Sequence, residues 1–224
     1  ASDSSVQTVF KLPFAHYLMW CTPLLVPDGK PFAPANQEAQ YRQIYELTQY
    51  LLRTHNGTGK SFYLGDWEGD WLLTHTNPDH IPTDEEVRNM IAWAKTRQQA
   101  VDDARRDTPH QNVQVYYYIE VNRVRDAKDG KVRATNKVLP QANPDFVSYS
   151  VYDAQSGDVE ATLTELLDYI QAQLKPKPGL DKKRVFIGEY GLPALGNSPE
   201  AQDAMTRSVL RGPGLRWGCQ FILY

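Results

Sequence analysis

The chain has 224 residues, 41% hydrophobic and 23% charged, an ordinary makeup for a globular protein long enough to bury one large core. Its 24 basic residues are outnumbered by 27 acidic ones and are scattered, so no nucleic-acid partner is expected. No apolar run approaches the roughly 20 residues that a bilayer-crossing helix needs, so no membrane partner is expected either.

The N-terminal Ala1 to Ser5 carries neither Met nor an apolar signal core, as expected of a mature secreted form or a trimmed chain. A strand is expected near Thr8 to Phe14. From Asn36 to His55, apolar residues at Tyr41, Ile44, Tyr45, Leu47, Leu51 and Leu52 form a helical stripe that Asn56-Gly57 stops. Asn56-Gly57-Thr58 is also a glycosylation sequon, in keeping with secretion. Ser61 to Leu64 reads as a strand. Thr83-Asp84-Glu85-Glu86 is a capping box that opens a helix continuing through Val87, Met90, Ile91, Ala94 and Val101. Val113 to Val121 is the next strand. In the excursion from Asn122 to Asp145, Lys128-Asp129-Gly130-Lys131 is a hairpin-turn signal, so one helix is replaced or much shortened.

Phe146 to Tyr152 and Val185 to Ile187 are further apolar or β-branched runs, and Thr162 to Leu174 between them is helical through Leu163, Leu166, Leu167 and Ile170. Ser198-Pro199 pairs an N-cap with a first-turn proline ahead of another helix. The chain closes on a strand-like stretch from Cys219 to Tyr224. Cys21 and Cys219 match no metal-ligand spacing; one disulfide between them and two buried free thiols are both open.

Strand and helix alternate throughout, the pattern of an α/β fold with a parallel sheet. About six βα units are recognisable, whereas a (β/α)8 barrel takes about 250 residues. The expectation is a single TIM-barrel-like domain spanning 1–224, incomplete, with its first strands absent. An open doubly wound sheet is the alternative. An unpaired strand in a partial barrel would favour homo-oligomers.

Ligands collect at the carboxyl ends of strands in both architectures, and those positions here are rich in acids and aromatics. Gly65-Asp66-Trp67-Glu68-Gly69-Asp70-Trp71 follows one run, and Glu120-Val121-Asn122 ends another. Tyr152-Asp153 and Gly188-Glu189-Tyr190-Gly191 follow two more. Any one strand-end acid can be a helix cap or an ion-pair partner; several on one face point to a site. Two such carboxylates can cleave a glycosidic bond when one is held protonated and the other ionised. Glu68 and Glu189 are the catalytic pair in this reading: Trp67 and Trp71 would lower the dielectric around Glu68, and Tyr190 would orient Glu189.

In these residues the chain resembles the later part of a (β/α)8 retaining glycoside hydrolase of the clan A type, whose acid/base follows the fourth strand and whose nucleophile follows the seventh. With Ser61 to Leu64 as the fourth strand, Glu68 and Glu189 fall on those two stations, and Gly188-Glu189-Tyr190-Gly191 is similar to the clan's nucleophile strand end. The resemblance implies that Tyr149 or Tyr152 contacts the nucleophile. Trp67 stands where clan members commonly carry Asn, which leaves Glu120 and Asp66 as other candidates for the acid. The expected function is a retaining glycoside hydrolase acting on a poly- or oligosaccharide, with Asp66, Trp67, Trp71, Glu120, Asn122, Tyr149, Tyr152 and Tyr190 in its sugar subsites. A carbohydrate-binding or scaffold protein that has lost catalysis is the alternative.

Other chemistries lack their signatures. His16, His55, His75, His80 and His110 show neither HxH nor HExxH spacing, so neither a metal nor any other cofactor is expected. Gly57-Thr58-Gly59-Lys60-Ser61 lacks the full phosphate-loop spacing and precedes a strand, and no GxSxG elbow is present.

Overall fold

In the computed structural model, residues 3–22 and 32–224 are described. Asp3 accepts from the backbone N–H groups of Ser5 and Val6 and so starts α1, Ser4–Lys11. The strand expected near Thr8 to Phe14 is therefore mostly helix; Val6, Val9 and Phe10 have helical spacing, and the first strand, β1, is His16–Trp20. Next come α2, Gln37–Thr54, and β2, Ser61–Gly65. They are followed by α3, Gly69–Leu73, α4, Asp84–Asp107, and β3, Gln114–Val121. The Thr83 capping box forms as expected: Glu86 N–H donates to Thr83 Oγ1 at 3.2 Å, and Thr83 N–H donates to Glu86 Oε2 at 2.7 Å.

Beyond β3, the stretch read as a hairpin turn instead ends a short helix, α5, Val124–Lys128. Gly130, at φ +90°, makes the left-handed turn that returns its N–H to Ala127 O and that of Lys131 to Asp126 O. The chain continues through α6, Leu139–Ala142, β4, Phe146–Ser150, and α7, Val159–Ala172, which Asp158 caps. Then follow β5, Val185–Glu189, α8, Pro199–Val209, capped by Ser198, and the single turn α9, Leu215–Trp217.

The strands form one five-stranded sheet in the order β1-β2-β3-β4-β5, and the registered pairs are parallel. The expected TIM-barrel-like (β/α)8 fold is thereby corrected: this is an α/β fold on a single five-stranded parallel sheet. The terminal stretch from Cys219, counted above as a strand, contributes only an isolated bridge between Ile222 and Ile187. Gly218, at φ +91°, turns the chain out of α9, and the terminal stretch meets β5 at Ile187, whose N–H donates to Phe221 O and whose carbonyl accepts the Leu223 N–H.

The chain divides into two compact units, one of residues 1–66 with 89–118 and one of residues 67–88 with 119–224. In the first, β1 pairs with β2 from His16↔Ser61 to Trp20↔Gly65, and β2 with β3 from Ser61↔Gln114 to Leu64↔Tyr117. Its core holds Ile44, Leu51, Phe62, Leu64, Met90 and Val115, all fully buried. In the second, β4 pairs with β5, with an irregularity at Tyr149/Ser150 that brings Ser150 opposite Glu189. Leu163, Leu167 and Ile170 of α7 bury the stripe read from the sequence, alongside Phe186 and Ile187. Each such side chain contributes about 1.5–3 kcal/mol by leaving water.

Candidate functional site: a buried carboxylate cluster

The second unit gathers three glutamates that are far apart in sequence. Glu68 lies between the end of β2 and α3, Glu120 is near the end of β3, and Glu189 is the last residue of β5. Within the five-stranded sheet, Glu68 and Glu189 thus follow the second and fifth strands rather than the fourth and seventh. Glu68 has φ +21°, a conformation that a non-glycine residue adopts at a cost of about 1–3 kcal/mol and that recurs at functional sites.

Glu120 explains how that backbone is held. Its Oε1 accepts the Glu68 N–H at 3.1 Å, and its Oε2 accepts the Ser148 hydroxyl at 2.8 Å. Only 3% exposed and pinned by these donors, Glu120 fixes the backbone of Glu68. Burial, more than the nearby Glu189 charge, raises its pKa against the pull of those hydrogen bonds. Gly188 is required beside it, because a Cβ there would sit 1.8 Å from Ser148 Oγ and 3.2 Å from Glu120 Oε2.

Glu68 itself is buried, and its carboxyl is pushed up to about 7, first by desolvation and then by the charges of Glu189, Glu120 and Asp70. The Asn122 side chain opposes that rise. Near Glu189 lies the Tyr152 hydroxyl, whose pKa is raised to about 12, first by burial and then by the Glu189 charge. The arrangement is therefore one carboxyl able to hold a proton near neutrality, with a second acid and a phenol near it.

The other expected site residues separate into those that belong to this cluster and those that do not. Trp67, next to Glu68, is 41% exposed, and Tyr152 is 53% exposed, so both offer ring surface to a ligand. Trp71 lies under the Arg123 guanidinium, 5.1 Å from ring centroid to Cζ. Tyr190 is buried edge-on to Tyr224, with centroids 5.3 Å apart, and the phenol near Glu189 is that of Tyr152. Tyr149, one of the two tyrosines offered for contact with the nucleophile, donates its hydroxyl to Asp153 instead. Asp66 belongs to the first unit and is committed there: Oδ2 lies 3.2 Å from the buried Arg97 guanidinium, and burial raises its pKa to about 6 against the pull of Arg97.

Several contributors escaped the sequence reading. Ser148 and Ser150 alternate along β4 with Val147 and Tyr149, a period-two signal that small polar residues share one face. In the sequence Asp70 stands out only as one acid of a rich segment. It is fully buried and accepts the backbone N–H groups of Asn122, Arg123 and Ala134 at 3.0, 3.2 and 2.7 Å, tying α3 to the segments that follow β3. Both cysteines are free, and no helix among the described residues is long and apolar enough to cross a membrane.

No protein-family model, curated protein or solved structure matches the chain.

Proposed function

We propose that the protein hydrolyses O-glycosyl bonds in a poly- or oligosaccharide, with Glu68 as general acid/base and Glu189 as nucleophile. The supporting observation is that the Glu68 carboxyl is pushed up to about 7 by burial and neighbouring acids, with a second acid, Glu189, close enough to contribute to that rise and the Tyr152 hydroxyl near Glu189. Glu68 would donate its proton to the departing glycosidic oxygen as Glu189 attacks the anomeric carbon and forms a glycosyl ester. Water would then cleave that ester, giving its proton back to Glu68, with the anomeric configuration retained overall. Trp67 and Tyr152 would stack on sugar rings.

The test is hydrolysis across a broad panel of aryl glycosides, with proton NMR of the released sugar. The expected result is turnover with retention that falls as pH rises through about 7, as Glu68 loses its proton. Glu189→Gln is expected to lower the rate about a thousandfold or more. Full activity in Glu189→Gln would overturn the role of Glu189. Saccharide binding without turnover by the wild-type protein would replace the enzyme reading with that of a carbohydrate-binding module.

A further inference from the structure

A second cluster of side chains, separate from the three glutamates, lies in the same unit around the start of α4. His75 Nε2 is 2.6 Å from Glu86 Oε1, and His80 Nε2 is 3.1 Å from Glu86 Oε2. One ligand atom from each of the three residues lies within 4.8 Å of the others, and the two imidazoles pack edge to face with centroids 5.1 Å apart. Sequence spacing hides the set, because the histidines belong to an irregular loop rather than to one helix face.

Two features fix these ligands in advance. The Thr83 backbone N–H and hydroxyl donate to Glu86 Oε2 at 2.7 and 3.0 Å, orienting the carboxylate as outer hydrogen bonds orient a metal ligand. His75 and Thr76 both have positive φ, +52° and +59°, and the Thr76 N–H is tied to Trp71 O at 2.8 Å. That turn carries His75 back to the helix start, at a backbone cost of about 1–3 kcal/mol per residue.

We propose that His75, His80 and Glu86 form a binding site for a first-row divalent cation of the zinc type. Two imidazole nitrogens and one carboxylate oxygen are the donor set that such a cation takes, whereas calcium or magnesium would call for oxygens. Bonds of about 2.0–2.2 Å place ligand atoms roughly 3.4 Å apart around a tetrahedral ion, so small side-chain rotations suffice to admit it. On binding, the ion replaces the two histidine–glutamate hydrogen bonds, and any proton carried on a ligating Nε2 leaves to solvent. The His75 side chain is 62% exposed, so the ion is reached from solvent and keeps at least one position for water or an external ligand. The site is independent of the glycosidase reading.

Isothermal titration of the full chain with zinc chloride at pH 7.5 tests this. One equivalent bound at micromolar affinity is expected, with a higher Tm in the presence of zinc. His75→Ala and His80→Ala should each weaken binding about tenfold or more, while His110→Ala leaves it unchanged. Far-ultraviolet circular dichroism of each variant separates loss of a ligand from loss of fold. No binding at millimolar zinc, or equal binding by folded His75→Ala and His80→Ala variants, would overturn the proposal.

Discussion

Glu68 carries the cost of its setting in two forms, a backbone at φ +21° and a carboxyl raised from its ordinary 4.5 to about 7. A carboxyl whose folded-state pKa is raised stabilises the fold fully below its unfolded value, and that contribution is lost as pH rises through the folded one. Glu68→Gln, which cannot ionise, is therefore expected to raise Tm relative to wild type at pH 8 and to leave it nearly unchanged at pH 4.5. Equal Tm differences at both pH values would contradict the account of that carboxyl. Gly188→Ala probes the same cluster from behind. Its new Cβ would displace Ser148 Oγ and with it one donor to Glu120, an overpacking that costs about 1–3 kcal/mol in urea unfolding. A midpoint equal to that of wild type would show that Gly188 is not needed there. At this scale Glu68 and Glu189 were legible because acids at strand ends stand out. The partner of Glu189 was less so: Tyr149 lies within β4, where its neighbours Ser148 and Ser150 point to the opposite face, whereas Tyr152 lies in the turn beyond it.

Among elements, packing of α4 in the first unit depends on a buried charge. Arg97, fully buried in α4, meets Asp66 just after β2, donates to Cys21 O at 2.9 Å and has its Cζ 5.0 Å from the Trp93 ring centroid. Asp66→Ala would leave that guanidinium without its counter-charge, and a loss of about 3–5 kcal/mol in urea unfolding is expected. A loss below about 1 kcal/mol would mean that the Cys21 carbonyl, the Gln40 side chain and the rings satisfy Arg97 without Asp66. The long helices and β2 to β5 could be read from periodicity because their apolar stripes and caps agree, as at Thr83 and Ser198. At both ends of the chain that agreement failed. Asp3 and the spacing of Val6, Val9 and Phe10 favoured a helix over the expected strand, and the apolar run from Cys219 made a single bridge. Apolarity over six residues does not distinguish a strand from a covering segment.

For the molecule as a whole, alternation identified the α/β class but could not count strands, and the barrel expectation assumed strands that the sheet does not contain. What survives the change of architecture is local to one unit: Glu68, Glu120 and Glu189 come together within residues 67–88 and 119–224. Strand-end placement needs only parallel strands, which is why the candidate site was legible where the barrel was not. The most direct measurement is covalent trapping. The wild-type protein is incubated with 2-deoxy-2-fluoroglycosyl fluorides of the sugars it hydrolyses, and its peptides are then mapped by mass spectrometry. The account predicts one glycosyl adduct per chain, carried by Glu189 and slow to release. Adduct formation at another residue, or none on a protein that turns over the parent glycosides, would contradict it.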